Sequence, residues 1–291
     1  MPNIRTAYEY LMPKSVDEAL ELMHSYGDDC KVIAGGTDII PKIKAGVKPF
    51  KALISLKNLE ELKFVDFDAA KGITIGALMT LRQCEANEDI CKYYPALYQG
   101  MHSMANTQVR NRGTIPGNIS NAIPSADTAP ALLVYGAQIK ARSVEGERII
   151  PIEEFFAGVG RNNLRSDELI TEIFIPLPDA KAHSIYYKYA VRKALDLAMV
   201  GVASCVTVDG DDVVQSAKIA LGAVAVIPKR AENAEKLIAG KKLTEELIEE
   251  AARVASQDDC APISDIRATA EYRRKMVYVH VRDALRKAVE K

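Results

Sequence analysis

The sequence predicts an α+β fold divided into two domains. Three observations carry this. At 291 residues the chain is longer than one average domain. Helical stripes and short apolar strands are mixed along it without a regular strand–helix–strand alternation. Two prolines, Pro176 and Pro178, followed by polar residues through Ser184, make the best linker candidate. The expected division is residues 1–177 and a smaller second part, 178–291, built as an antiparallel sheet with helices on one face.

From the start, Ser15-Val16-Asp17-Glu18 is a capping box ahead of a helical stripe (Val16, Ala19, Leu20, Met23, Tyr26) that Gly27 stops. Lys31–Ala34 is a short apolar strand running into Gly35-Gly36. Adjacent glycines at a strand end can turn successive N–H groups toward one anion, and Thr37 and Asp38 add short polar side chains. A plain tight turn explains Gly-Gly equally well. Ala52–Leu56 and Ile73–Ala77 read as strands, Thr80 caps a helix from Leu81 toward Ala86, and Pro95 opens a helix reaching about Asn106.

The stretch Arg110–Asp127 is the least patterned, with two glycines, two prolines and three asparagines. Since Pro and Gly interrupt both helix and ladder, it is expected to be one long loop, either a structural Ω-loop or a wrapping for a polar, phosphate-bearing ligand. Thr128–Leu133 then continues in helix-competent sequence. Gln138–Ser143 and Arg148–Ile152 form a hairpin about Glu145-Gly146, and Glu168–Ile175 is a strand. In the second part Ile185–Val191 leads to a hairpin of Val202–Val208 and Val213–Leu221. Arg230–Ala239, Glu245–Ser256 and Thr269–Val289 read as helices.

Composition narrows the function. Hydrophobic residues are 48%, charged residues 26%, and the formal charge is −1, so no net field recruits nucleic acid or an anionic membrane. No apolar run approaches a membrane span, and the opening residues lack a signal-peptide pattern, which reads as cytoplasmic. Five scattered cysteines include no C-x-x-C pair, so neither a zinc site nor an iron–sulfur cluster is expected on this chain. The four histidines lie far apart, and His24 and His280 are expected to be surface or packing residues. No P-loop, G-x-G-x-x-G or nucleophile elbow occurs, and no catalytic residue is assigned. Two glycine-bearing segments that could converge on one extended ligand suit a cofactor holder better than a hydrolase.

Taken together, A-G-G-T-D within Val32–Ile39 and T-x-x-G-N-x-x-x-A-x-P-x-x-D over Thr114–Asp127 resemble the FAD-binding subunit of the molybdenum hydroxylases, the xanthine dehydrogenase family. Further similarity lies in Phe155-Phe156 with Glu168-Leu169-Ile170, in Arg192-x-x-x-Asp196-Leu197-Ala198, and in Ala223–Lys241 and Ser264–Leu285. It spans essentially the whole chain. The resemblance implies a two-lobed FAD-binding domain of the molybdopterin dehydrogenase type, with the C-terminal flavoprotein domain after it.

It also implies an FAD site. Val32, Ile33, Ala34, Gly35, Gly36, Thr37, Asp38 and Ile39 would bind the cofactor, the backbone of Ile33–Asp38 cradling the diphosphate. Thr114, Ile115, Pro116, Gly117 and Asn118 would grip it from the other side. Asp127 would accept a cofactor hydrogen bond, Ile170 would make an apolar contact, and Lys188 would stand near the flavin ring. Met104 and Ala105 would touch the cofactor, while Arg192 and Asp196 fit a structural ion pair as well as a flavin contact. One departure is Pro116, where the family usually has glycine: proline lacks an N–H, so one possible phosphate donor is lost.

The role so implied is an electron relay. It would take electrons from 2Fe-2S clusters on a small partner subunit, fed by molybdopterin on a large one, and pass them to NAD⁺ or another acceptor. A non-redox scaffold with a degenerate nucleotide site, or a free-standing flavoprotein oxidase, remains an alternative.

Overall fold

The computed structural model describes residues 8–46 and 49–290. The opening residues read above for their lack of a leader lie outside it through residue 7.

The first lobe is a parallel sheet of three strands in the order Glu9–Leu11, Ala52–Ser55, Cys30–Ile33. Its central strand is buried along its whole length, as expected when both faces and both edges are covered. Helix Val16–Tyr26 packs Val16, Ala19, Leu20 and Met23 into the core of this lobe. Ser15 accepts from the Glu18 amide at 3.1 Å, but the Glu18 carboxylate takes the Lys14 amide (2.6 Å), one residue upstream of the expected box.

The second lobe is an antiparallel sheet ordered Val65–Asp68, Gly72–Gly76, Leu169–Pro176, Gln138–Ser143, Gly146–Pro151. The expected hairpin about Glu145-Gly146 is its edge. Short helices cover one face, among them Leu81–Glu85, Pro95–His102 and Ala129–Tyr135, and fill the largest core.

Two expectations are corrected here. Arg110–Asp127 is not one loop: Asn106 caps helix Thr107–Arg110, and Thr114 caps helix Ile115–Ser120. Pro116 falls in the first turn of the latter, where an N–H has no intrahelical partner and a fixed φ suits the helix. The helix opened by Pro95 ends at His102 rather than near Asn106, and beyond it Ala105 turns to φ +46°. The sequence reading also passed over strands Glu9–Leu11 and Val65–Asp68 and helices Ile39–Lys44 and Glu88–Tyr93.

The second domain is a four-stranded antiparallel sheet, Ala182–Tyr189, Val200–Val208, Val214–Gly222 and Lys229–Arg230. Helices Glu232–Ile238, Glu245–Gln257 and Ala270–Val289 cover one face. The other face rests on the first domain, where Tyr186, Ala203 and Ala220 join the core around Leu97 and Leu132. Alternation along Ala182–Tyr189 sends Tyr187 to stack on His280 of the last helix and sends Ser184, Tyr186 and Lys188 the other way. Among the described residues no helix is long and apolar enough to cross a membrane.

The domain junction is polar as well as apolar. Helix Pro95–His102 has no side-chain cap of its own; the buried Tyr135 hydroxyl accepts from the Ala96 amide (3.2 Å) and bonds Ser184 Oγ (2.6 Å). Tyr135→Phe strips both groups of their partner and is expected to lower stability by about 1–3 kcal/mol, read from urea unfolding at unchanged m-value.

Candidate flavin site

A cavity of about 620 Å³ lies between the two lobes, within the usual range for small-molecule sites. The second domain contributes Leu195, Asp196 and Leu197 to its rim. Both glycine-bearing segments reach it. Of the residues expected from sequence, Val32, Ala34, Gly35, Gly36, Thr37, Asp38, Ile39, Ala105, Thr114, Pro116, Gly117, Asn118, Asp127 and Ile170 line it, and Met104 does too.

The segments meet through backbone. A Cβ on Gly35 would stand 1.7 Å from the Arg112 carbonyl oxygen, so only glycine allows this approach. Gly36 follows at φ +78°, a conformation glycine adopts without strain. The amides of Gly35, Gly36 and Thr37 make no hydrogen bond among the described residues, although this bend is half-buried. Unpartnered, half-buried N–H groups beside a cavity are a cradle for an anion. The diphosphate of FAD fits that donor set.

Across the cavity the backbone is differently committed. The Gly117 amide donates to Thr114 Oγ1 (3.1 Å) and the Asn118 amide to the Thr114 carbonyl (3.0 Å). Pro116 has no N–H at all. The Asn118 side chain turns back to accept from the Thr128 hydroxyl at 2.7 Å. This wall offers shape more than donors.

Three expected residues do not line the cavity. Ile33 packs against the small cluster of Ile43, Phe50 and Leu53, and Ile115 is wholly buried in the main core. Lys188 sits behind the wall. Its Nζ donates to Asp127 Oδ2 (2.8 Å) and to the Ser103 carbonyl (3.1 Å), while the Tyr186 hydroxyl donates to Asp127 Oδ1 (2.9 Å). Both members of this ion pair are nearly sealed from solvent, at 9% and 7% side-chain exposure. Burial pushes the Asp127 carboxyl above its usual range, while Lys188 and Tyr186 pull it down. Asp127 thus presents to the cavity a carboxylate whose charge is balanced from behind.

A second buried carboxylate shapes the rim. Glu85 accepts from Arg110 Nε (3.2 Å), and the same guanidinium donates to the Met104 carbonyl (2.8 Å). That holds the Met104–Ala105 turn, and the Ala105 carbonyl accepts from the Leu195 amide (3.0 Å), tying the second domain to the rim. Arg192 and Asp196 do form an ion pair (3.7 Å), and Asp196 also faces the cavity. Glu168 also lines the cavity; burial would raise its carboxyl, but Arg148 and Arg165 hold it below the usual range. Sequence reasoning missed Lys42, Ser120, Asn121 and Ser125 in the lining. Each is an ordinary surface-type residue, and only the meeting of two distant segments assigns it a place.

The comparisons agree with this architecture. Residues 6–178 match the family model described as the FAD binding domain in molybdopterin dehydrogenase, and residues 185–288 match the CO dehydrogenase flavoprotein C-terminal domain. The nicotinate dehydrogenase FAD-subunit of Eubacterium barkeri is 35% identical, with 83% of each chain covered. The xanthine dehydrogenase FAD-binding subunit of Escherichia coli O157:H7 is 30% identical, covering 89% of this chain and 88% of that one. A solved structure of carbon monoxide dehydrogenase from Hydrogenophaga pseudoflava superposes at a TM-score of 0.92 with 31% identity, over 97% of this chain and 96% of that one.

Removing Lys188 leaves a buried carboxylate without its counter-charge. Lys188→Met is expected to lower stability by about 3–5 kcal/mol near neutral pH. With its folded pKa raised further above the unfolded value, Asp127 stabilises the variant only while protonated. The deficit should therefore shrink as pH falls through that raised pKa, toward the ordinary carboxylate range. Urea unfolding at several pH values measures this; a deficit that grows on acidification contradicts it.

Proposed function

The chain belongs to the family of FAD-binding subunits of molybdenum hydroxylases, and on that premise we propose that it is the electron relay of a molybdenum-dependent dehydrogenase. It receives electrons from 2Fe-2S clusters on a small partner subunit and passes them to NAD⁺ or another acceptor, while a large partner subunit carrying molybdopterin oxidises the substrate. On the same reading we set the domain boundary at residue 177, a choice supported by its lying in the connection between strands Leu169–Pro176 and Ala182–Tyr189.

The observation that carries the reading is the cavity between the lobes, with the free amides of Gly35, Gly36 and Thr37 at its wall. Bound FAD supplies the exchange between single-electron and paired-electron transfer. The chain's own residues do the rest. The glycine bend holds the diphosphate, and Thr114, Pro116 and Asn118 shape the facing wall. Asp127 accepts a hydrogen bond from an N–H or hydroxyl of the cofactor, and Lys188 behind it keeps that carboxylate ionised. Val32, Ala34, Leu169 and Ile170 supply an apolar lining that excludes water.

The purified protein should be yellow and release FAD, rather than FMN, on acid treatment; a colourless protein that binds no added FAD favours the scaffold alternative. Flavin reduction by a small organic substrate without partner subunits favours the oxidase. Pro116→Gly restores the missing N–H, and fluorescence titration should show FAD binding tighter by about two- to tenfold if that amide reaches a phosphate oxygen; unchanged affinity shows that the proline is neutral.

A further inference from the structure

Resting on the flavin reading above, we propose that Lys42 is the cationic anchor of the cofactor's diphosphate. Charged side chains in the cavity lining are Asp38, Lys42, Asp127, Glu168 and Asp196. Lys42 is thus the one basic residue among the described lining residues. The cations that balance Asp127, Glu168 and Asp196 are Lys188, Arg148 with Arg165, and Arg192, and none of them faces the cavity. A doubly charged diphosphate entering here meets more carboxylate than ammonium. Its charge has to be matched by the glycine amides and by Lys42.

The facing wall makes this need sharper. Pro116 has no N–H, and the Gly117 and Asn118 amides are already bonded to Thr114. A backbone grip from both sides is therefore reduced to one side. Lys42 stands where it can make up the difference. It lies on helix Ile39–Lys44, which begins at the end of the glycine bend, and its Nζ donates across the cavity to Asn121 Oδ1. Asn121 in turn donates to Asp38 Oδ1 at 3.1 Å. The hydrogen-bond partner of Lys42 among the described residues is thus a neutral amide oxygen on the opposite segment, while the Asp38 carboxylate nearby feels its charge without a direct ion pair to it. An ammonium hydrogen-bonded to a neutral acceptor, on an exposed stem, can exchange that acceptor for a phosphate oxygen, and the bond charged on both sides is the stronger of the two.

The test uses the purified full-length chain, stripped of flavin and titrated with FAD by fluorescence quenching at several salt concentrations. Lys42→Met should weaken FAD by about tenfold or more. It should also flatten the dependence of affinity on salt, since the lost contact is one that salt screens. Lys42→Arg should stay within about threefold of the unchanged protein. ADP, which carries the diphosphate without the flavin, should compete less well against the Met variant by a similar factor. Lys42→Met binding FAD as tightly as the unchanged protein overturns the proposal. So does weaker binding with an unaltered salt slope, because then Lys42 acts only as a strut between Asp38 and Asn121. Failure of the unchanged protein to bind FAD rejects the flavin reading itself, and the role of Lys42 with it.

Discussion

The site depends on one backbone contact, the approach of Gly35 to the Arg112 carbonyl. Any side chain at residue 35 would occupy the same space as that oxygen. The contact brings a strand end of the first lobe against the turn between two short helices of the second. Once they touch, the space beside them is closed on two sides and becomes a cavity of about 620 Å³. The same closeness leaves the amides of the glycine bend without protein partners. Such a cradle is unfavourable when empty and favourable around an anion, which is the thermodynamic mark of a binding site rather than a structural turn.

The second constraint is buried charge. Asp127 is held by Lys188 and Glu85 by Arg110, cations that solvent barely reaches, with the more exposed Arg82 beside Glu85 as well. Neither pair is a strong source of stability, since desolvation offsets much of the attraction. Their value is geometric. The Asp127 pair joins the cavity wall to strand Ala182–Tyr189, and the Glu85–Arg110 pair fixes the Met104–Ala105 turn against Leu195. Through these the second domain becomes part of the cavity wall, although most of its own core lies on the far side of its sheet.

Local chemistry was legible in the residues wherever a short-range rule decided it. The caps at Ser15 and Thr80, the Glu145-Gly146 hairpin and the three C-terminal helices follow from spacing and turn residues, and all are present. The Arg110–Asp127 stretch departs from a single loop because Pro116 sits in a first helical turn, where proline costs the helix nothing, rather than breaking the helix. Helices such as Ile39–Lys44 and Glu88–Tyr93 were missed because six residues are too few for a periodic pattern to register.

By itself the sequence determined which segments bear glycine, where chains turn, and which motifs resemble those of flavin-binding subunits of molybdenum hydroxylases. These are properties of neighbouring residues and need no fold to be read. Only the tertiary structure decided that residues 35 and 112 touch, that Lys188 lies behind Asp127 rather than in the cavity, and that Lys42 reaches Asn121. The reason is physical: such contacts join residues far apart in the chain, and nothing in local propensity encodes the distance between them.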